Sequence, residues 1–322
     1  MTSNSCRVRF SRCAVRSDVR DELQKRLGDR IRFDVPIGPL TTYRVGGSAA
    51  AFVTVESRAE LDRVAEACSA VEATTLVIGR GSNMLVADDG FDGVALQLGD
   101  FASFVELPDR GATKPIVRVG AATSLPVLAR RTAAAGWRGL EWAVGVPGSV
   151  GGAVRMNAGG HGSDIAASLV DVLVVDLSTG AARTWTHHDL GLRFRGSDLD
   201  DRCFVVEARL RVESGDAVEA QRVIDDIVKW RRENQPGGQN AGSVFVNPIP
   251  GVLSAGELID RAGLRGFRIG TAEVSTKHAN FIQADEGGRA SDVMAVMRHV
   301  HDRVLSESGH DLRSEVRLVG FA

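Results

Sequence analysis

The glycine-rich stretch GVPGSVGGAVRMNAGG, residues 145–160, constrains this chain more than any other part of its sequence. Six of its residues are glycines: Gly145, Gly148, Gly151, Gly152, Gly159 and Gly160. The interior of a helix or strand does not tolerate so much glycine without cost, so we predict a loop. Backbone without Cβ atoms can turn tightly, or it can close on an anion or a flat ring and present successive N–H groups. The stretch alone leaves both interpretations open.

A second glycine-containing segment, GRGSNMLV, spans residues 79–86 and follows a predicted buried strand. It resembles the start of a GxGxxG fingerprint, but Met84 stands at the sixth position. The following ADDGFDG cannot form the long helix that a Rossmann unit requires, so a dinucleotide-binding Rossmann fold is disfavoured. A loop whose N–H groups hold a pyrophosphate, helped by Ser82 and Asn83, remains open beside a simple polar turn.

Composition and charge exclude several classes of protein. The chain has 322 residues, 43% of them hydrophobic, which is enough for a substantial core and for two or more domains. A net charge of −2 and 5% aromatic residues argue against nucleic-acid binding. The four cysteines and seven histidines lack metal-ligand spacing, so no metal is expected. No apolar run is long enough to insert into a membrane and no signal core begins the chain, so we expect a cytoplasmic protein.

Apolar periodicity predicts alternating helices and strands, and hence an α+β fold. Helices are predicted at residues 19–27, 58–70, 125–135, 216–232, 255–262 and 291–306. Strands are predicted at residues 51–55, 74–79, 94–98, 116–119, 169–176, 204–212 and 312–319. Residues 1–17 are polar and basic, which is typical of a loose tail, with a nucleic-acid-binding arm as the alternative. We predict a tail with a short helix (1–38), a first domain (39–212) and a second domain (213–322).

Five motifs in register resemble a known family. These are GRGSNMLV, GLEWAVGVPGSVGGAVRMNAGG, FRGS, AGSVFVNP, and VSTKHANF followed by EVRLVG. Their order and approximate spacing are similar to those of the UDP-N-acetylenolpyruvoylglucosamine reductases, the MurB family, from about Leu40 to Gly320. The resemblance implies an FAD-binding domain of the vanillyl-alcohol-oxidase (PCMH) type, followed by a smaller α+β substrate-binding domain.

The resemblance also implies the ligands. It implies noncovalently bound FAD, NADPH as co-substrate, and reduction of UDP-N-acetylglucosamine enolpyruvate to UDP-N-acetylmuramate for peptidoglycan synthesis. A flavin carries the hydride, while the protein supplies position and electrostatics. The FAD contacts fall on the two glycine-containing segments: Gly79, Arg80, Gly81, Ser82, Asn83, Met84, Gly145, Gly148, Ser149, Gly151, Gly152, Asn157 and Gly159.

Three catalytic residues are implied by the same resemblance. Arg195, in FRGS, would hold the substrate carboxylate and spread the enolate charge, a task that suits a planar guanidinium. Ser243, in AGSVFVNP, would donate the proton to carbon. Glu315, expected on the final strand, would assist the enolate as a protonated acid or through a hydrogen bond, which makes it a candidate for a raised pKa. Without the resemblance these residues are typical of a surface ion pair, a turn serine and a solvated strand residue.

Substrate contacts are implied for Arg231, Asn247, Lys277 and His278, although structural roles for Lys277 and His278 stay open. Four residues depart from the family pattern: Phe194, where tyrosine is common, Asn234, where lysine is usual, Thr271, in place of a glycine, and Arg313, where an acidic residue is common. The departure at Asn234 leaves Arg231 and Arg232 as the nearest cations for nucleotide phosphates. The short link before Ser243 resembles the second type of this family, which lacks the long substrate-covering loop.

Two other functions are compatible with parts of the sequence. A flavin oxidase of the same fold would act on an alcohol with oxygen as acceptor, and would not need Ser243 and Glu315 together. A nonenzymatic nucleotide-binding module would carry no flavin and would purify as a colourless protein.

Overall fold

The computed structural model describes residues 17–321. Eight α-helices lie in this part of the chain. They are α1 Ser17–Leu27, α2 Arg58–Ala70, α3 Leu125–Ala134, α4 Val150–Met156, α5 Ile165–Ser168, α6 Ala217–Asn234, α7 Ala255–Arg261 and α8 Ala290–Ser308. The six helices predicted from periodicity are present with ends within two residues of the prediction. The tail at residues 1–16 lies outside the described residues.

The strands are mostly short and alternate with the helices. They are β1 Ile31–Pro36, β2 Ser48–Val55, β3 Thr75–Val77, β4 Met84–Val86, β5 Phe91–Leu98, β6 Val105–Glu106, β7 Ile116–Gly120, β8 Trp137–Arg138, β9 Gly159–Gly160, β10 Ser163–Asp164, β11 Leu169–Asp176, β12 Ala182–Thr186, β13 Cys203–Arg211, β14 Glu213–Ser214, β15 Arg268–Ile269, β16 Ala272–Val274, β17 Ile282–Ala284 and β18 Arg317–Val319.

The first sheet has the order β1-β2-β5-β3. β2 pairs with β5, and β5 with β3, in parallel, while β1 is antiparallel to β2. The crossover helix α2 packs Leu61 and Val64 against this sheet, and Leu23 of α1 joins the same core. β1 pairs with β2, and α1 packs in the core beside this sheet. Both elements therefore belong to the first layer of the fold.

The second sheet is antiparallel, with the order β12-β11-β13-β7-β6. Helices α3, α4 and α6 contribute to the core against it. That core contains Leu128 of α3, Val154 of α4 and Ile224 of α6, each at most 1% exposed. A short 3-10 turn, Glu141–Gly145, leads from this core into the glycine-rich stretch.

A third layer contains the antiparallel sheet β15-β16-β17 with α7 and α8. Its core includes Tyr43 and Leu85 from the first half of the chain. The last strand, β18, pairs in parallel with β4, so the end of the chain returns to the segment that follows GRGSN. The layer that follows α6 is therefore joined to the first half by both packing and strand pairing.

Two predictions about local structure are wrong. The glycine-rich stretch is not loop throughout, because residues 150–156 form α4. The Ser149 hydroxyl caps that helix by accepting a hydrogen bond from the Gly152 N–H (3.4 Å), and Gly151 packs closely on Ala121. The final strand is also shorter than predicted, since it begins at Arg317, and Glu315 lies in the irregular segment before it.

Candidate active site

The loop that precedes β4 presents a row of free backbone donors. None of the N–H groups of residues 79–83 donates a hydrogen bond to another described residue. Gly81 adopts a left-handed conformation (φ 60°), and its carbonyl accepts a hydrogen bond from the Thr42 N–H (3.0 Å). Consecutive free N–H groups around a left-handed residue form a concave anion-binding surface. This loop has the donors that a pyrophosphate needs.

The two glycine-containing segments come into contact. A Cβ atom on Gly79 would lie 2.3 Å from the Ser149 hydroxyl oxygen, and one on Gly148 would lie 3.2 Å from that of Ser82. Either side chain would therefore meet the opposite segment. The absence of Cβ atoms at these positions lets the two segments line one space together.

A cavity of about 250 Å³ lies where the first and second sheets meet. Its lining includes predicted FAD contacts from both segments together with polar residues of β5, of the turn after β5 and of α4: Gly79, Arg80, Gln97, Asp100, Ser103, Ser149, Gly151, Gly152 and Arg155. Arginine side chains beside free N–H groups match the negative charge of a pyrophosphate. The donor set therefore fits FAD.

Other predicted FAD contacts have structural partners. Asn157 is buried and left-handed (φ 40°), and its amide nitrogen lies near the Arg193 carbonyl (3.1 Å) and a carboxylate oxygen of Asp164 (3.2 Å). The side-chain oxygen Oδ1 of Asn157 accepts a hydrogen bond from the Ala166 N–H (3.0 Å). Met84 is buried in β4. Gly145 packs against the His161 ring, which itself meets Trp230 edge-on at 5.1 Å.

Arg195 and Glu315 form an ion pair, with Nε 2.8 Å from Oε1 and both side chains about one-fifth exposed. A terminal guanidinium nitrogen of Arg195 also donates to the Gly159 carbonyl (3.0 Å), which connects it to the glycine-rich stretch. The exposed Phe194 ring lies 5.0 Å from the guanidinium carbon. Arg195 has a positive φ (56°), a sparsely populated conformation that is common where side chains are held at a site.

The environment of Glu315 raises the pKa of its carboxyl group. Burial dominates, and the nearby charges of Arg195 and Arg313, with the Arg195 contact, oppose it. A raised pKa favours the protonated form, which can donate a hydrogen bond to a developing negative charge. This is the environment expected of an acid that assists an enolate.

Ser243 is half-buried, and its hydroxyl has no hydrogen-bond partner within residues 17–321. Backbone around it is tightly held. Buried Asn280 accepts from the N–H groups of Val244 (2.9 Å, through its carbonyl) and Phe245 (2.9 Å, through its side chain), and it donates to the Phe245 carbonyl (2.8 Å). The backbone of this segment is thus held in place, while the Ser243 hydroxyl is not engaged in a hydrogen bond with another described residue.

Asn83 joins the loop of residues 79–83 to the segment that carries Glu315. Its side-chain amide donates to the Glu315 carbonyl (2.9 Å), and its own carbonyl accepts from the Arg317 N–H (3.0 Å). Glu315 in turn donates through its N–H to the Val244 carbonyl (2.8 Å). The three segments that carry Asn83, Ser243 and Glu315 are therefore hydrogen-bonded to one another.

The four predicted substrate residues fall at two places. At the end of α6, the Lys277 ammonium donates to the Arg232 carbonyl (2.6 Å), and Arg231 donates from Nε to the Gln235 side chain (2.9 Å). Burial lowers the pKa of Arg231.

The other two lie near the start of α7. The Asn247 side chain accepts from the Ala255 N–H (3.1 Å), and the His278 ring packs against Phe281 at 4.7 Å. Burial, with Arg265 nearby, lowers the pKa of His278. One polar atom of the Asn247 side chain is therefore engaged in holding the start of α7 in place.

Sequence reasoning missed a set of charged residues beside the cavity. Arg155 pairs with Asp201, and Asp201 also pairs with Arg317 (2.7 Å). The only sequence signal was that Arg155 lies within the glycine-rich stretch; neither spacing nor periodicity connects it to Asp201 and Arg317. Within residues 17–321, His, Cys, Asp and Glu side chains form no group that could hold a metal ion. In the same range, no helix is both long and apolar enough to span a bilayer.

Comparison with known proteins identifies both halves of the chain. Residues 49–185 match the family described as FAD binding domain. Residues 234–319 match the family described as UDP-N-acetylenolpyruvoylglucosamine reductase, C-terminal domain. The fold class predicted from sequence, an α+β chain with an FAD-binding domain followed by a second domain, is confirmed.

Individual relatives extend the match over most of the chain. It is 40% identical to UDP-N-acetylenolpyruvoylglucosamine reductase of Heliobacterium modesticaldum, over 88% of this chain and 89% of that protein. The same enzyme of Gloeobacter violaceus is 39% identical, over 91% and 97%. The crystal structure of MurB from Thermus caldophilus is 37% identical, with a TM-score of 0.76 over 90% of this chain and 99% of that one. The chain belongs to the UDP-N-acetylenolpyruvoylglucosamine reductase (MurB) family of FAD-dependent oxidoreductases.

Proposed function

We propose that this chain reduces the enolpyruvyl group of UDP-N-acetylglucosamine enolpyruvate with electrons from NADPH. The product, UDP-N-acetylmuramate, would serve peptidoglycan synthesis. In this proposal residues 39–212 hold FAD and residues 213–322 hold the substrate. The observation that carries the proposal is the Arg195–Glu315 ion pair (2.8 Å) beside the segment of Ser243, because it joins three separate motifs in one place.

FAD, when bound, accepts hydride from NADPH and supplies it to the substrate. Residues 79–83 would hold its pyrophosphate through their free N–H groups, and Arg155, on the cavity wall, would add a positive charge. The contacts between the two glycine-containing segments would close the backbone around the cofactor. The chain thus provides the position and the electrostatic environment.

Arg195 would bind the substrate carboxylate. Hydride addition at the terminal enolpyruvyl carbon leaves an electron pair on the adjacent carbon, delocalised into the carboxylate as an enolate. A planar guanidinium spreads this charge, and Glu315 in its protonated form would donate a hydrogen bond to it. The raised pKa of Glu315 supports this role, because an ionised carboxylate would repel the enolate.

Ser243 would complete the reaction by donating its hydroxyl proton to the carbon that carries the electron pair. Its alkoxide would then regain a proton from solvent. The free hydroxyl and the backbone clamp from Asn280 support this role, because the donor is positioned but not engaged elsewhere. Arg231 and Lys277 would supply positive charge for the nucleotide phosphates, while Asn247 and His278 would line the other side.

The test separates the two halves of the reaction. In Ser243→Ala, anaerobic NADPH should bleach the flavin at the wild-type rate, whereas recovery on adding the enolpyruvyl nucleotide should slow by about 10²- to 10⁴-fold. Ser306→Ala, which removes an exposed hydroxyl on α8, is the matched control and should behave like the wild type. Normal recovery in Ser243→Ala would rule out Ser243 as the proton donor, and reoxidation by oxygen alone would favour the oxidase.

A further inference from the structure

Arg313 is held on the same segment as Glu315. Its carbonyl accepts from the Val246 N–H (2.9 Å), while the Glu315 N–H donates to the Val244 carbonyl (2.8 Å). Between them Ser314 forms a bridge with Phe245. Residues on either side of a bridged residue direct their side chains to the same side of the chain. The Arg313 and Glu315 side chains therefore share one side of the Ser243 segment.

The Arg313 guanidinium has no carboxylate in ion-pair contact within residues 17–321, although the residue is exposed. Arg193, by comparison, is exposed and pairs with Asp198. Two acidic residues, Asp311 and Glu315, each lie two positions from Arg313 in the chain. Asp311 pairs with His301 (2.8 Å), whereas the charge of Arg313 acts on Glu315. Arg195 contacts the carboxyl group directly, whereas Arg313 acts without contact.

Other groups near Glu315 are neutral or are engaged with a different carboxylate. Arg317, two residues further on, pairs with Asp201 (2.7 Å). The contacts from the Asn83 side chain and the Val244 carbonyl are neutral. Burial of Glu315 is thus opposed by two cations, Arg195 and Arg313, and Arg313 is the one that is open to solvent.

We propose that Arg313 is a positioning residue of the active site. Its guanidinium and that of Arg195 form what we call a two-arginine clamp on the Glu315 carboxyl group, in which Arg195 acts by contact and Arg313 acts through its charge, without contact. The inference rests on the proposed role of Glu315 as the acid that assists the enolate. In the clamp, Arg195 fixes the carboxyl group from the side of the glycine-rich stretch. Arg313 sets how readily the Glu315 carboxyl group loses its proton. It therefore sets the pH above which Glu315 no longer assists the enolate.

The pH dependence of substrate reduction tests this proposal. Removing the positive charge makes Glu315 hold its proton more tightly, so the alkaline limb of kcat should move to higher pH. We expect the proton affinity to rise about 3-fold in Arg313→Gln and about 10-fold in Arg313→Glu. Arg313→Lys keeps the charge and should retain the wild-type limb. Anaerobic flavin bleaching by NADPH should be unchanged in all three.

Arg211→Gln, at an exposed arginine of β13 without an ion pair among the described residues, is the control for loss of one surface charge. The clamp alone would be overturned by one pair of results. The pH profiles of kcat for Arg313→Gln and Arg313→Glu would superimpose on the wild-type profile, while Glu315→Gln would abolish the alkaline limb. If Glu315→Gln leaves both the rate and the limb unchanged, the role of Glu315 fails, and the clamp fails with it. Thermal unfolding of each variant separates these effects from loss of folded protein.

Discussion

Gly79 is the residue at which the two glycine-containing segments come closest. Its missing Cβ leaves room for the Ser149 hydroxyl, which in turn caps α4. The same glycine begins the row of free N–H groups at residues 79–83. A single position therefore affects both the helix that faces the cavity and the proposed pyrophosphate site.

Gly79→Ala should weaken FAD binding by about 10-fold or more, because the new methyl group would stand 2.3 Å from the Ser149 oxygen and force one segment to move. FAD titration of the apoprotein, followed by quenching of flavin fluorescence, measures this. Gly237→Ala is the control, since a Cβ there meets nothing within 4 Å. An unchanged Kd in Gly79→Ala would show that close contact between the segments is not needed for binding.

What sequence could predict differs among single residues. Ser243 was identifiable only from its motif, because a turn serine carries no physical signal of proton donation. Arg195 and Glu315 were assigned in the same way, and their 2.8 Å contact depends on a fold that brings distant segments together. Arg155 and Asp201 could not be paired, because ion pairs between distant segments leave no periodic pattern.

At the scale of elements, α8 is capped by a residue from the other half of the chain. The Asp88 carboxylate accepts from the N–H groups of Ala290 (2.8 Å) and Ser291 (3.1 Å), and Arg289 lies 3.6 Å away. Burial acts to raise the pKa of Asp88, but the hydrogen bonds and the Arg289 charge outweigh it and hold that pKa below its ordinary value. The longest helix of the second half thus begins on a loop of the first.

Asp88→Ala should lower the free energy of unfolding by about 1–2 kcal/mol, since two helix N–H groups lose their acceptor. Because the pKa of Asp88 is lowered in the folded state, its contribution is present above the ordinary carboxyl pKa. It is lost as the pH falls through the folded-state value. Urea unfolding at neutral pH and at about pH 3 measures both effects.

Asp89→Ala, at the exposed neighbouring position, is the matched control and should change stability by less than about 0.5 kcal/mol. Equal destabilisation by the two substitutions, or a difference that persists unchanged in acid, would contradict the capping role of Asp88. The capped start of α8 was not predicted, because its capping residue lies about 200 positions away in sequence.

Element boundaries were predictable where a helix supplies its own signals. α2 runs from Arg58 to Ala70 as predicted, with Ser57 capping it from the adjacent position. α4 was missed because its glycines oppose helix formation, and the cap from Ser149 with packing on Ala121 outweighs that preference. β18 is shorter than its apolar pattern because only residues 317–319 find a partner strand.

At the scale of the whole molecule, the last strand connects two cores. Val316 packs in the core of the third layer, with Tyr43 and Val244, whereas Val319 packs in a smaller core with Phe52 and Met84. Parallel pairing with β4 fixes the position of Val319, and Val316 directly precedes the paired residues. The two halves of the chain should therefore unfold together.

Val319→Ala should destabilise the protein by about 2 kcal/mol and move a single unfolding transition to lower urea concentration. Flavin fluorescence reports on the first half, and near-ultraviolet circular dichroism reports on the aromatic residues of both. Leu318→Ala, at a more exposed side chain on the same strand, should have a smaller effect. Two separate transitions, with Val319→Ala moving only one of them, would show that the halves unfold independently.

The pairing of β18 with β4 has a consequence for how the chain is made. Residues 84–86 are synthesised long before their partner at residues 317–319. The two residues of the Asn83–Glu315 hydrogen bond are also synthesised in this order. Until residues 315–319 have been synthesised, β4 lacks its partner strand and the Ser243 segment lacks Glu315. A chain that stops before residue 315 would therefore lack both this strand pairing and Glu315, and we expect its first half to depend on protection from aggregation during synthesis.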